Sequence, residues 1–306
     1  MEKNAPVRIP QRMLDVTDPA YRRRALDEGP HANQLWIAED HDDTEFLMIV
    51  DVDERDPRIV HVIPMSNDPG EQTADGLVVG RTPIGLPMIA WPALAIPIPI
   101  RVLDVPLGDF DARIAQAVAG DDPDLDPHVH RAQDSEDFLA AYALVSARAR
   151  VFQQWWNIGR HLPPLHQEEA IVFGISEERR AYAEALKTVL GLSATQRNAI
   201  MNHGMPLTKT QAKKMGQAGF AAEPPQAQEA IPDAYLIAAE QPRWRQVLDD
   251  MDIDGDDVRL ELARKAAFDL AARTSGHDDA AVNGALLKAV ESMKSGQNGQ
   301  RGQRGQ

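Results

Sequence analysis

The sequence predicts an α+β protein: a small N-terminal antiparallel β-barrel followed by an all-α region that contains a helix–turn–helix. Three observations carry that expectation. Between Gln34 and about Asp111, short β-rich apolar runs alternate with acidic or turn-forming clusters, with no helical pattern between them. Strands this short and closely spaced pack as a small barrel or sandwich. After the acidic, proline-containing stretch Gly120–Pro127, apolar residues recur in alternating steps of four and three, the period of one helix face. Lastly, Gly191-Leu-Ser-Ala-Thr-Gln-Arg-Asn-Ala-Ile-Met-Asn-His-Gly204, followed by Pro206-Leu-Thr, has the punctuation of short helices around a tight turn.

Taken in order, residues 1–33 form a charged N-terminal extension with one short helix expected near Pro19–Leu26. Leu35-Trp-Ile, Phe46–Val52 and Ile59–Ile63 are the first strands, separated by Asp40–Asp43 and Asp53–Pro57. Leu77-Val-Val, Met88–Trp91 and Ile96–Val105 continue the series, and a helix from about Asp111 to Val118 closes a barrel domain at 34–119. Residues 120–132 read as an acidic linker. Phe138, Tyr142, Val145, Ala149, Phe152 and Trp156 then mark a helical seam suited to a core or dimer contact, with Trp155, one place off it, left to the surface. That helix opens a helical domain at 133–220. A C-terminal helical module at 221–294 is expected from segments around Pro232–Glu240, Trp244–Asp249, Val258–Ser275 and Ala280–Lys294. The Gly- and Gln-rich tail at 295–306 has nothing to bury and should be disordered.

Composition restricts function before any motif does. With a net charge of −15 over 306 residues, the whole molecule cannot attract nucleic acid by bulk charge. Between Ile175 and Phe220 the balance reverses: seven lysines and arginines meet three glutamates, an excess of four positive charges. A basic island in an acidic chain is the footprint of a localised DNA contact, and equally of a solvated helix pair. The chain has no cysteine, which removes disulfide and thiolate chemistry and suits a cytoplasmic protein. Its first residues lack the apolar core of a signal peptide. Thr82–Ile100 carries no charged residue, but Pro83, Pro87, Pro92, Pro97 and Pro99 interrupt it, so no membrane helix is expected.

In the helix–turn–helix segment, Ala183, Leu186, Val189 and Leu190 would seat the first helix, and Gly191 would permit the turn. Ser193 is the expected N-cap, Ile200 and Met201 the buried positions, and Thr195, Gln196, Arg197 and Asn198 the outward-facing ones. Gln and Asn can pair with adenine, Arg with guanine or phosphate, and a helix N-terminus itself favours a phosphate. Thr208 would cap a third helix through Gln217, bringing Lys209 and Lys213 to the same DNA-binding surface. Elsewhere, Asp250, Asp252, Asp254 and Glu261 stand at calcium-loop spacing with Gly255 at the turn, but Asp257 occupies the place that needs an apolar residue. An acidic turn before a helix is the alternative there. His128-Val-His130 and His161 with His166 form no recognised zinc motif, and no cofactor is expected.

Two resemblances follow from these residues. The stretch Leu192-Ser193, Ile200-Met201-Asn202, Gly204, Pro206-Leu207-Thr208, Ala212, Met215 and Gly219 resembles the Xre-like and HigA-type antitoxin helix–turn–helix family. That resemblance implies sequence-specific binding of double-stranded DNA, commonly by a homo-oligomer. Gln34-Leu-Trp36, Phe46–Val52 and Val62-Ile-Pro-Met-Ser66 are similar to the MazF/PemK toxins, SH3-like barrels that cleave RNA without metal. Ser66 matches the active-site hydroxyl of that family, whereas the arginine expected between the first two strands has no match in Ala38–Glu45. The expectation is therefore a cytoplasmic DNA-binding regulator, antitoxin- or defence-associated, with a non-catalytic barrel and a partner protein encoded nearby. The alternatives are a MazF-like endoribonuclease acting through Ser66, or a helical scaffold assembling through the Phe138–Trp156 seam.

Overall fold

The apolar runs pair into one antiparallel sheet. The computed structural model describes residues 17–41, 43–165, 177–202, 205–224, 231–249, 258–271 and 279–303. After helix α1 (Pro19–Glu28) come strands β1 (Gln34–Asp40), β2 (Asp43–Val52), β3 (Ile59–Ser66), β4 (Leu77–Val79), β5 (Met88–Ala90), β6 (Ile96–Pro99) and β7 (Leu103–Asp109). Helix α2 (Ala112–Ala119), strand β8 (Val129–Arg131) and the long helix α3 (Phe138–Arg160) follow. The strand order is β7-β1-β2-β3-β5-β4-β8, with β6 also on β3. One edge of β3 is shared: β6 takes Ile59–Val62 and β5 takes Met65 and Ser66. The pairing ends at β7 and β8, so the described strands form an open sheet rather than the closed ring expected of a barrel.

The sheet is buried on both faces, which is why its strands read as continuous apolar runs. Leu35 and Ile37 of β1 join Met48, Ile63, Leu107 and the α2 residues Ile114 and Val118 on one side. Trp36 and Ala38, pointing the opposite way, join Leu47, Ile49, Val60 and Ile98 beneath Phe152 and Trp155 of α3. Asp111 caps α2 by accepting from the Arg113 N–H at 2.9 Å. Asp137 does the same for α3 through Ala140 at 3.2 Å.

Several expectations are revised. The 120–132 segment is a working part of the sheet unit: β8 pairs with β4, and Val129 and Ala132 are buried. The Ile96–Val105 run is broken by a 3-10 turn at Ile100–Val102, and its prolines sit on β6, an edge position that needs no second row of donors. Helix α3 packs on the sheet through Ala141, Val145, Phe152 and Trp155, so its buried seam is turned from the expected one. Trp155 is 1% exposed, whereas Phe138 is 51% exposed and Tyr142 45%. The reason is the partner surface: β3 and β6 present their groove to the Trp155 side, and Gly159 lets the helix approach Ile59 and Pro99.

Contacts divide the chain into two units. The first holds 1–165, 233–270 and 276–306, so the boundary falls after α3 rather than before it. Helices α7 (Asp233–Glu240), α8 (Arg245–Asp249), α9 (Val258–Ala271) and α10 (Asp279–Gln303) belong with the sheet instead of forming a separate module, apart from the last residue of α9. A bidentate pair ties them to it: Arg101 donates to Glu240 at 2.7 and 2.5 Å. Helix α10 continues into the tail expected to be unfolded, because packing of Val282, Leu286, Ala289 and Met293 has already met the cost of nucleation. The second unit holds 166–232 and 271–275, with helices α4 (Glu177–Thr188), α5 (Ala194–Asn202) and α6 (Lys209–Gln217). Among the described residues no helix is long and apolar enough to cross a membrane.

Candidate nucleic-acid interface

Three short helices of the second unit share one small core. Tyr182, Ala185 and Leu186 of α4 pack with Ile200 of α5 and Met215 of α6, and Leu190, Leu192, Met201, Leu207 and Phe220 cover them. Phe220 meets Tyr182 edge-on at 5.9 Å, and the Tyr182 hydroxyl donates to the Ala222 carbonyl. Burial and nearby Glu223 push that hydroxyl's pKa up. The turn between α4 and α5 is the one the sequence indicated. Gly191 takes φ +64°, its N–H bonds to the Lys187 carbonyl, and the Leu192 N–H reaches back to Leu186. Those two bonds close a helix end that favours glycine.

Ser193 caps α5 as expected: its Oγ accepts from the Gln196 N–H at 3.3 Å. Gln196 completes the box by accepting from the Ser193 N–H at 3.0 Å. Its side chain is exposed, as expected, and the amide oxygen serves the cap as well. Thr195 is exposed, as the DNA reading needs. Arg197 is half-buried, and its Nε is buried with no hydrogen-bond partner among the described residues. The side chain of Asn198 and residues His203 and Gly204 lie outside the described set.

On α6, Thr208 accepts from the Gln211 N–H at 3.3 Å while Gln211 accepts from the Thr208 N–H at 2.9 Å. Lys209 and Lys213 are exposed one turn apart, with Lys214 beside them. Lys209 stands in the first turn, the end of a helix where a cation is disfavoured. The structure also makes visible a repeat that periodicity alone did not suggest: Leu192-Ser-Ala-Thr-Gln196 recurs as Leu207-Thr-Lys-Thr-Gln211. Each copy opens a helix with the same capping box and leads to a buried residue, Ile200 or Met215. Comparing the sequence with itself at that spacing would have found it.

The other sequence-derived sites fare differently. Ser66 is 3% exposed, and its Oγ accepts from the Asp68 N–H at 3.1 Å, so the hydroxyl is spent inside the fold rather than presented to RNA. An arginine does reach this neighbourhood, from α3 instead of the β1–β2 turn. Arg148 donates to the Met65 carbonyl at 2.6 Å, to Glu71 at 2.7 Å and to Glu45, and stacks on Trp91 at 5.4 Å. Held between two carboxylates, it is a structural ion cluster. Burial outweighs the pull of Arg148, and with Glu71 and Asp43 as negative neighbours the Glu45 carboxyl is pushed up to about 7.

The candidate calcium loop at 250–257 lies outside the described residues, and Glu261 pairs with Arg264 at 2.7 Å. Among the described residues no three metal-ligating side chains converge. A cavity of about 350 Å³ is lined by Arg101, Arg245 and Arg259 opposite Glu39 and Asp40. Its arginines are engaged: Arg101 holds Glu240, and Arg259 donates to the Ala239 and Gln241 carbonyls. No protein-family model matches the chain, and no curated protein matches it.

Proposed function

We propose that this chain is a cytoplasmic DNA-binding regulator whose α4–α6 unit acts as a helix–turn–helix. Its sheet unit, read as a relative of SH3-like barrels, serves a non-catalytic role in sensing a ligand or partner. The observation that carries the reading is a doubly capped helix pair with exposed Lys209, Lys213 and Lys214 and exposed Thr195, set in a local excess of positive charge within an acidic protein. The resemblance to Xre-like and HigA-type antitoxins supports it and suggests a toxin–antitoxin or defence setting with a neighbouring gene product as partner. The burial of Ser66 weighs against the endoribonuclease alternative.

The test is fluorescence anisotropy of the full chain on its own upstream DNA, with and without the neighbouring product, over a salt series. Binding should weaken steeply with salt, and Lys213→Glu should both lower affinity and reduce the log–log salt slope by about 1. Affinity for that DNA no greater than for random duplex, or a slope untouched by Lys209→Glu and Lys213→Glu, would overturn the reading.

A further inference from the structure

Lys209, Thr210, Lys213, Lys214 and Gln217 of α6 are exposed, Gln211 and Ala212 are half-buried, and Met215 is buried. The exposed side chains are contiguous around the helix, because each residue advances the chain by about 100° about the axis. They bring three lysines and no carboxylate to one face of a protein with net charge −15. None of the three lysines pairs with a carboxylate of a described residue. Lys209 also sits in the first turn, where the helix dipole opposes a cation, a conflict that a bound polyanion relieves. Helix α5, by contrast, exposes only Ala194, Thr195 and Gln196 among its described side chains, and Gln196 also serves the cap.

The order of residues around α6 decides what each can touch. Measured from Lys209, Lys213 lies about 40° round the axis, Gln217 about 80°, Thr210 about 100° and Lys214 about 140°. The two uncharged side chains are therefore flanked by lysine on both sides. A DNA major groove has the matching order, with base edges in the middle and a phosphate strand on either wall, about 12 Å apart. Nine residues make a helix about 13 Å long, which such a groove admits. We propose that α6 is the helix that enters the major groove, with Gln217 and Thr210 setting sequence preference and Lys209, Lys213 and Lys214 on the flanking phosphates. The assignment rests on the DNA-binding reading and moves base recognition away from the tip of α5. Gln217 offers an amide oxygen and nitrogen to adenine N6 and N7, and the Thr210 methyl meets the methyl of thymine. Seven residues separate the two, about 10 Å along the axis, so the adenine and the thymine stand about three base steps apart.

Selection from a pool of random duplexes by the full-length protein supplies the probe, and fluorescence anisotropy measures each change. Placing 7-deazaadenine, which lacks N7, at the selected adenine should weaken wild-type binding about tenfold and leave Gln217→Ala unaffected. Replacing the selected thymine with deoxyuridine should weaken wild-type binding about fourfold and leave Thr210→Ser unaffected. Both variants should keep the wild-type salt slope, since neither loses a phosphate contact, and circular dichroism should show both folded. A selected sequence that both variants read as wild type does, or one relaxed by Thr195→Ala alone, would overturn the assignment to α6 and leave DNA binding standing. A pool that yields no preferred duplex would overturn both.

Discussion

Replacing Glu45 with Gln should change the stability of the sheet unit in a way that depends on pH. The Glu45 side chain is 14% exposed and shares Arg148 with Glu71. Its carboxyl titrates at about 7 in the folded protein against an ordinary 4.5. Because the folded pKa is raised, the folded state holds a proton that the unfolded chain has released between these values. Stability is then complete below about 4.5 and falls as pH rises to about 7. At about 1.4 kcal/mol per unit, the difference comes to about 3 kcal/mol above pH 7. The amide of Gln resembles the protonated acid and can still accept from Arg148. Wild type and Glu45→Gln should therefore be alike near pH 4, with the variant more stable by up to about 3 kcal/mol at pH 8. Urea unfolding followed by fluorescence of buried Trp36, Trp91 and Trp155 measures this at several pH values. Only the difference between the two proteins is diagnostic, since other carboxylates titrate in both. A difference that stays constant from pH 5 to pH 8, or a variant destabilised throughout, would refute the reasoning.

Two further outcomes follow from backbone geometry. Gly108 adopts φ +146°, and a Cβ there would lie 2.6 Å from Pro83 Cβ, whereas Gly85 at φ +72° has nothing within 4 Å. Gly108→Ala should cost about 2–3 kcal/mol and Gly85→Ala about 1 kcal/mol. Thermal unfolding of the two variants side by side would contradict this if their midpoints shifted equally. In the second unit, Ser193→Ala removes the α5 cap and should cost about 1 kcal/mol, seen as faster hydrogen exchange confined to α5. Unchanged exchange there would mean that the cap contributes nothing.

Local patterns were legible wherever a few neighbouring residues decide the outcome. Ser193 and Gly191 announced a cap and a turn because both effects act within one helical turn. The β-rich runs announced strands because side chains buried on both faces leave no polar alternation. The capping role of Gln196 was missed because a glutamine three places after a serine satisfies two grammars, base reading and the capping box, and the exposed side chain fits both. Arg148 escaped notice because the carboxylates that hold it come from β2 and a turn far away in sequence. The linker reading of 120–132 failed for a similar reason: acidic and proline residues describe its surface, while Val129 supplies the strand.

The sequence by itself determined the α+β class, most of the segments, both helix caps of the α4–α6 unit and the basic island within an acidic chain. These follow from short-range sterics, hydrogen bonding and charge, which need no distant partner. Tertiary structure alone decided that the sheet ends at β7 and β8, that α3 turns Trp155 inward and leaves Leu139 and Tyr142 outward, and that Ser66 is enclosed. Each of those depends on which surfaces meet, and burial against a remote surface outweighs the modest free-energy differences that separate one helix face or strand end from another.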